Sequence, residues 1–198
     1  MSDKNEILKK IHQAQPAPLP YPAWEFAADC AGLTARFVQS VEDSGAACLT
    51  ARDFAEAQQQ LEAQESFAEA GRICCVMPEL SLGNVDLGDI AHPRELADLD
   101  LTVAAGQLSV AENGAIWVVP PPELSRVALF SCERLVLLVP ASELVADLHQ
   151  AYARLDFSFK GAGYLIAGPS KTADIEQVLV LGAQGPRALT VVLVEVWP

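Results

Sequence analysis

Three nearly continuous apolar runs, at residues 72–77, 134–139 and 189–196, most constrain how this 198-residue chain can fold. A strand that is apolar along its length must be covered on both faces, which is typical of parallel sheets flanked by helices. Between these runs, residues 24–43 carry apolar side chains three or four positions apart, the spacing of an amphipathic helix. The alternation predicts an α/β fold with a mostly parallel sheet and helices on both of its faces.

Residues 107–111 and 115–119 interrupt this alternation with two β-rich runs. Glu112, Asn113 and Gly114 separate the two runs, and the pair Asn-Gly favours the positive φ angles of a tight hairpin turn. We therefore predict an antiparallel hairpin inserted into the otherwise alternating chain.

The remaining elements follow from periodicity and from breaker residues. Thr50 is the predicted N-cap of a long polar helix, and Ser142 is the predicted N-cap of a later one. We predict strands at 46–49 and 163–167, and helices at 51–70, 124–130 and 142–155.

The N-terminus is predicted to be a separate appendage. Residues 3–14 have the spacing of a helix, and prolines at alternate positions from Pro16 to Pro22 prevent that helix from continuing. We therefore divide the chain into an N-terminal helix with a proline-rich linker, residues 1–22, and one α/β domain, residues 23–198. The N-terminal helix docks either on a partner or against its own domain.

Charge and hydropathy exclude several classes of partner. Thirteen Lys and Arg residues against 26 Asp and Glu give a net charge of −13, which disfavours binding to nucleic acid and to anionic lipid. The longest strongly apolar stretch, residues 135–141, is far shorter than the roughly 20 residues of a membrane-spanning helix. The first ten residues mix both charges and lack an apolar core, so we expect no signal peptide and a cytoplasmic location.

The five cysteines do not form a recognisable metal motif. No Cys-x-x-Cys occurs, and the three histidines lie on separate predicted elements. We predict that the chain binds no metal or cofactor of its own and that its thiols are reduced and mostly buried. Cys74 and Cys75 adjoin in a strand, so their side chains should point to opposite faces.

The most informative segment is LIAGPSKTADIEQVLVLGAQGP, residues 165–186. A strand is predicted to end at Ala167 and a helix to begin after Gly168, which would present free backbone N–H groups at the helix start. Ser170 and Thr172 add hydroxyl groups and Lys171 adds a positive charge, so the segment is a candidate anion site. The alternative is that Ser170 or Thr172 caps the helix, with Asp174 and Glu176 complementing its dipole, and that nothing binds.

The pair GPSKTADIE and GAQGP resembles the C-terminal signature of the LUD domain family, of the lactate utilization protein C type. This resemblance implies a fold similar to the NagB/RpiA/CoA-transferase group. It also implies a role beside two iron–sulfur subunits in oxidising L-lactate to pyruvate, with the clusters on those partners. The motif match carries over a ligand pocket comprising Gly168, Ser170, Thr172, Asp174, Glu176, Gly182, Gly185 and Pro186.

The hairpin turn offers a second candidate group. Its Glu112-Asn113-Gly114 is similar to the Ser-Glu-Asn-Gly of CoA-transferase β subunits, although Ala111 replaces the serine. In those subunits the glutamate forms the acyl-CoA thioester intermediate, and the resemblance implies that Glu112 serves as a nucleophile or general base if its carboxyl group is desolvated. The alternative is that Asn113-Gly114 is only a turn and Glu112 a solvated residue beside it.

We arrive at one leading hypothesis and two rivals. The leading hypothesis is an accessory or regulatory subunit of L-lactate oxidation that binds a small anionic ligand between residues 168–176 and the 112–114 turn, with Asn113 and Gly114 as contacts. The first rival is a CoA-transferase-like enzyme with Glu112 as nucleophile. The second is a scaffold without a ligand, in which the N-terminal helix is a docking arm.

Overall fold

The computed structural model describes residues 4–17, 19–20, 31–120, 124–158, 161–175 and 178–198 of the chain. Its α-helices are α1 (Lys4–Ala14), α2 (Leu33–Asp43), α3 (Phe54–Glu62), α4 (Glu65–Ala68), α5 (Leu124–Ser131) and α6 (Leu148–Arg154). Short 3-10 turns cover Leu87–Asp89, Pro93–Leu96 and Ala141–Glu143. The strands are β1 (Ala47–Ala51), β2 (Ile73–Cys75), β3 (Leu101–Ala105), β4 (Leu108–Val110), β5 (Ala115–Val118), β6 (Arg134–Pro140), β7 (Leu144–Val145), β8 (Tyr164–Ile166), β9 (Lys171–Ile175), β10 (Val178–Leu181) and β11 (Ala188–Val194).

The three apolar runs become strands of one five-stranded sheet with the order β1-β11-β6-β3-β2. All four pairings in this sheet are parallel. The central strand β6 is buried from Leu135 to Pro140, because neighbouring strands and covering elements lie on every side of it. The predicted parallel sheet is confirmed.

Helices cover both faces of this sheet, as predicted. On one face, Phe37 of α2 and Leu129 of α5 are fully buried against side chains from the central strands. On the other face, Leu61 of α3 packs on the alternate side chains of the same strands, including Val136 and Val192. Each large side chain buried in this way contributes roughly 1.5–3 kcal/mol to stability.

The predicted hairpin at residues 107–119 is confirmed and belongs to a second sheet, with the order β7-β4-β5-β8. Gly106 connects β3 to β4 where the two sheets approach closely. A Cβ atom at Gly106 would lie 2.3 Å from Ile116 Cγ2 and 2.7 Å from Val139 Cγ1. Only glycine therefore permits this contact between the sheets.

Several predicted boundaries move. The single helix predicted over 51–70 is two helices, α3 and α4, and Asp53 rather than Thr50 caps the first by accepting a hydrogen bond from the Glu56 amide at 3.0 Å. The helix predicted from Ser142 begins later, because the chain first forms a 3-10 turn and β7. Asp147 caps α6.

The prediction of a helix that begins after Gly168 is wrong. The chain there forms a second antiparallel hairpin, β9 and β10, with Lys171 opposite Leu181. The strand before it, β8, pairs antiparallel with β5 and so lies outside the parallel sheet. β-branched residues, which favour strands over helices, recur through the new hairpin: Thr172, Ile175, Val178 and Val180.

The predicted N-terminal helix is present as α1, and none of its side chains is buried. The start of the helix predicted at residue 24, Cys30 and the proposed domain boundary after residue 22 lie outside the described residues. In the part of the chain that the structure describes, no helix is both long and apolar enough to cross a membrane.

Candidate functional site

The two halves of the C-terminal signature lie against each other. The Ser170 amide donates a hydrogen bond to the Pro186 carbonyl at 2.8 Å, and the Gly182 amide donates to the Ser170 carbonyl at 2.9 Å. A Cβ atom on Gly185 would lie 3.4 Å from Ser170 Cβ. The turn at residues 168–170 and the loop at residues 182–186, which we call the two signature loops, therefore form one structural unit.

A cavity of about 250 Å³ opens between the two signature loops and the second sheet. Leu135 and Leu189 lie near the first residues of β6 and β11, so the cavity adjoins the amino ends of the parallel strands. Ligands of open α/β sheets usually bind at the carboxyl ends. We call this space the signature cavity; its lining comprises Phe130, Leu135, Leu165, Ile166, Ala167, Gly168, Pro169, Ser170, Gln184, Gly185, Pro186 and Leu189.

Two of the groups predicted to hold an anion, the Ser170 N–H and the Lys171 ammonium, are already engaged. No helix start is present at residue 170, and the backbone N–H groups of Ser170 and Gly182 donate to carbonyls of the signature loops. The ammonium group of Lys171 donates to the Ser44 carbonyl at the end of α2. The structure therefore removes the helix start on which the anion site was predicted.

Of the other predicted ligand residues, the structure describes the side chain of Thr172 and the backbone of Gly182, but not the side chains of Asp174 and Glu176. Thr172 is half-buried on β9, and the side chain of Asp174 and the whole of Glu176 lie outside what the structure describes. Gly182 has φ +78° and approaches Arg187, where a Cβ atom would lie 2.7 Å from that residue's Cβ. Gly182 is therefore needed for the shape of its loop.

Glu112 is exposed, and its carboxylate accepts a hydrogen bond from the first residue of α6. Its Oε2 atom accepts a hydrogen bond from the Leu148 amide at 3.2 Å. Beside it, Asn113 Oδ1 accepts from the Ala115 amide at 3.0 Å and Gly114 adopts φ +68°, which is a turn of the predicted kind. The desolvation that a nucleophilic Glu112 requires is not present.

The turn at residues 112–114 and the 168–170 loop lie at the same end of the second sheet. The pairing of β5 with β8 ends at Ile116 opposite Ile166, so both chains continue toward the same end of the second sheet. Each then packs on the last turn of α2. A Cβ atom at Gly114 would lie 2.9 Å from the Val41 amide nitrogen, and one at Gly168 would lie 2.7 Å from the Ser44 carbonyl oxygen. None of residues 112–114 is among the described residues that line the signature cavity.

Two further cavities lie near the carboxyl ends of β2 and β3. One of about 630 Å³ is lined by residues that include Cys75, Gly83 and Asp86. The other, of about 260 Å³, is lined by residues that include Glu79 and Gln107. None of these residues was predicted from the sequence to bind a ligand. The signal was available, since Pro78 and Gly83 break the chain directly after a buried strand, where α/β folds often bind ligands.

The described cysteines are free thiols: Cys48, Cys74, Cys75 and Cys132. Burial raises the pKa of the Cys132 thiol to about 11, so this thiol is protonated at neutral pH. Cys74 and Cys75 pack into the cores on opposite faces of the sheet, as predicted. Among the residues described, no cluster of three or more His, Cys, Asp or Glu side chains is arranged to hold a metal ion.

The fold has a counterpart among solved structures. It resembles a protein of the DUF162 family from Deinococcus radiodurans with a TM-score of 0.60 and 16% sequence identity, covering 85% of this chain and 99% of that one. At this level of identity the likeness concerns the fold alone.

Sequence comparisons identify the family. A lactate utilization protein C from Shouchella clausii is 31% identical over 125 residues, which are 60% of this chain and 53% of the relative. One from Geobacillus kaustophilus is 28% identical over 123 residues, 59% of this chain and 48% of the relative. The chain thus spans about half the length of the curated relatives it matches. Residues 91–194, which include β3 to β11 and both signature loops, match the LUD domain, and this chain belongs to the LUD domain family.

Proposed function

We propose that this chain acts in bacterial L-lactate utilization, as an accessory or regulatory subunit beside iron–sulfur proteins that oxidise L-lactate to pyruvate. The observation that carries the proposal is the LUD domain match over residues 91–194, together with relatives that bear the name lactate utilization protein C. We place the ligand site of this subunit at the signature cavity, because the two signature loops meet there.

The charges of the cavities support an accessory role. Lactate and pyruvate are carboxylates, and a buried carboxylate needs a cation or free N–H donors around it. Among their described lining residues, the signature cavity and the two cavities near the ends of β2 and β3 contain no basic side chain, and two other cavities each contain one arginine. Arg187 in one is paired with Glu133 at 3.0 Å, and Arg154 in the other approaches Glu143 at 3.8 Å. Acidic residues outnumber the arginine in both linings. This distribution favours oxidation of lactate on a partner.

A gene deletion tests the role. We expect the deletion strain to lose growth on L-lactate and to keep normal growth on pyruvate, the product of the oxidation, because only the oxidation step is affected. A plasmid copy of the wild-type gene should restore growth on L-lactate. Unchanged growth of the deletion strain on L-lactate would contradict the proposal.

Co-purification tests the partners. The tagged full-length chain, isolated from cells grown on L-lactate after mild cross-linking, should carry acid-labile sulfide, which reports iron–sulfur clusters. The purified chain alone should not reduce an electron-accepting dye with L-lactate. The accessory role would be contradicted if the isolated chain carried no acid-labile sulfide. It would also be contradicted if the chain alone reduced the dye with L-lactate.

A further inference from the structure

We infer that the signature cavity binds a small uncharged ring with one hydrogen-bonding substituent, rather than a carboxylate or a phosphate. The inference rests on the placement of the ligand site in the proposed function and adds the chemical class of the ligand. It follows from the cavity's walls, its polar groups and its size.

The walls of the cavity are apolar and held in place. Leu135 and Leu189 are buried in the core beneath the cavity, and Leu165 and Ile166 come from β8. The ring of Phe130 packs edge-on against the ring of Tyr164, with centroids 4.8 Å apart and an interplanar angle of 67°. A fixed aromatic wall of this kind favours an aromatic or other flat apolar ligand.

The polar groups suit a neutral ligand. No charged residue is among the described residues of the lining. Ser170 uses its backbone N–H and its carbonyl in bonds to Pro186 and Gly182, which leaves its hydroxyl group and the Gln184 side chain as the polar side chains of the lining. A hydroxyl and an amide can donate to or accept from a neutral substituent, but they do not offset the desolvation of an anion.

The volume limits the ligand to about one substituted ring. A cavity of roughly 150 Å³ holds benzene, and drug-sized ligands occupy pockets of about 300–1,000 Å³. At about 250 Å³, the signature cavity lies between these sizes. Benzamide and benzoate are therefore suitable probes, because they share this shape and differ in charge.

The test is a calorimetric titration of the purified full-length chain with each probe. We expect saturable binding of benzamide and more than about ten-fold weaker binding of benzoate, since benzoate loses hydration without gaining a cation. Ala167→Leu adds bulk at an exposed residue that lines the mouth of the cavity, and it should abolish benzamide binding. Ala153→Leu, on the exposed side of α6, is the control and should bind as the wild type does.

Ser170→Ala keeps the inference testable if Ala167→Leu fails to fold. It removes the hydroxyl group and should weaken benzamide several-fold. Benzoate binding at least as tight as benzamide, or no saturable binding of either probe, would overturn the inference. These results concern the isolated chain, so they are distinguishable from failure of the lactate role, which appears as unchanged growth of the deletion strain.

Discussion

The molecule contains two β-hairpins of similar length whose surroundings differ. The first, β4 and β5, is buried at every strand position and lies between β7 and β8 in the second sheet. The second, β9 and β10, forms a two-stranded sheet of its own, and Val178, Leu179 and Leu181 are 60%, 61% and 51% exposed.

From this difference we expect packing, rather than strand pairing, to anchor a hairpin in this fold. An isolated two-stranded hairpin is marginally stable in water, whereas one that is buried on both faces contributes to the core. The turn of the first hairpin contacts α2 through Gly114 and α6 through Glu112, whereas the second hairpin reaches the end of α2 through the Lys171 ammonium on the Ser44 carbonyl. We therefore expect substitutions in the first hairpin to affect global stability and those in the second to have little effect.

The largest effect is expected for Gly114→Ala. The added Cβ atom would lie 2.9 Å from the Val41 amide nitrogen at a φ of +68°, which combines a clash with backbone strain. We expect a loss of about 2–4 kcal/mol in the free energy of unfolding, measured by urea denaturation. Gly185→Ala is the control, because its nearest neighbour is at 3.4 Å, and equal losses in both variants would contradict the comparison.

Ser40→Ala should have the next largest effect. The Ser40 hydroxyl donates to the Ala111 carbonyl at 2.7 Å and so ties α2 to the first hairpin. Its removal should cost about 1 kcal/mol, seen as a lower midpoint in the same denaturation experiment. Ser142→Ala, at an exposed position, should leave the midpoint unchanged. If the two serine variants behave alike, the tie between α2 and the turn is not stabilising.

Glu112 distinguishes a structural from a chemical role for the first turn. Glu112→Ala removes the acceptor for the Leu148 amide and should cost about 0.5–1 kcal/mol, while Glu112→Gln keeps an oxygen acceptor and should cost less. Incubating the wild-type chain with acyl-CoA thioesters and hydroxylamine should leave Glu112 unmodified by mass spectrometry. A hydroxamate at Glu112 would instead support the transferase hypothesis.

The smallest effect is expected in the second hairpin. Leu179→Thr replaces a side chain that is 61% exposed with a β-branched one, so the free energy of unfolding should change by less than about 0.5 kcal/mol. Hydrogen exchange should also show the amides of β9 and β10 exchanging faster than those of β4 and β5. Equal protection of the two hairpins would show that the second is anchored as firmly as the first.

The same contrast explains what could be predicted from the sequence. Continuous apolar runs such as residues 134–139 predicted the parallel sheet, because only a strand buried on both faces needs them. Asn113-Gly114 predicted the first hairpin, because its positive φ angle is a local requirement. Both signals can be recognised in the local sequence, without knowledge of tertiary contacts.

The second hairpin was missed because its local signals conflict. Gly168-Pro169-Ser170 followed by Asp174 and Glu176 reads as a helix start with acidic residues in its first turn, while the β-branched residues that follow favour a strand. The engagement of the signature loops was missed for a different reason. The bonds that engage the Ser170 and Gly182 amides and the Lys171 ammonium join residues far apart in the sequence, so no local pattern reveals them.

The most direct test is growth of the deletion strain on L-lactate when it produces either Ala167→Leu or Ala153→Leu. The two variants are produced at equal protein levels, and thermal melts confirm that both fold. We expect Ala153→Leu to restore growth on L-lactate and Ala167→Leu, with added bulk at the mouth of the signature cavity, not to restore it. Full restoration by a folded Ala167→Leu would contradict the claim that this chain works through the signature cavity.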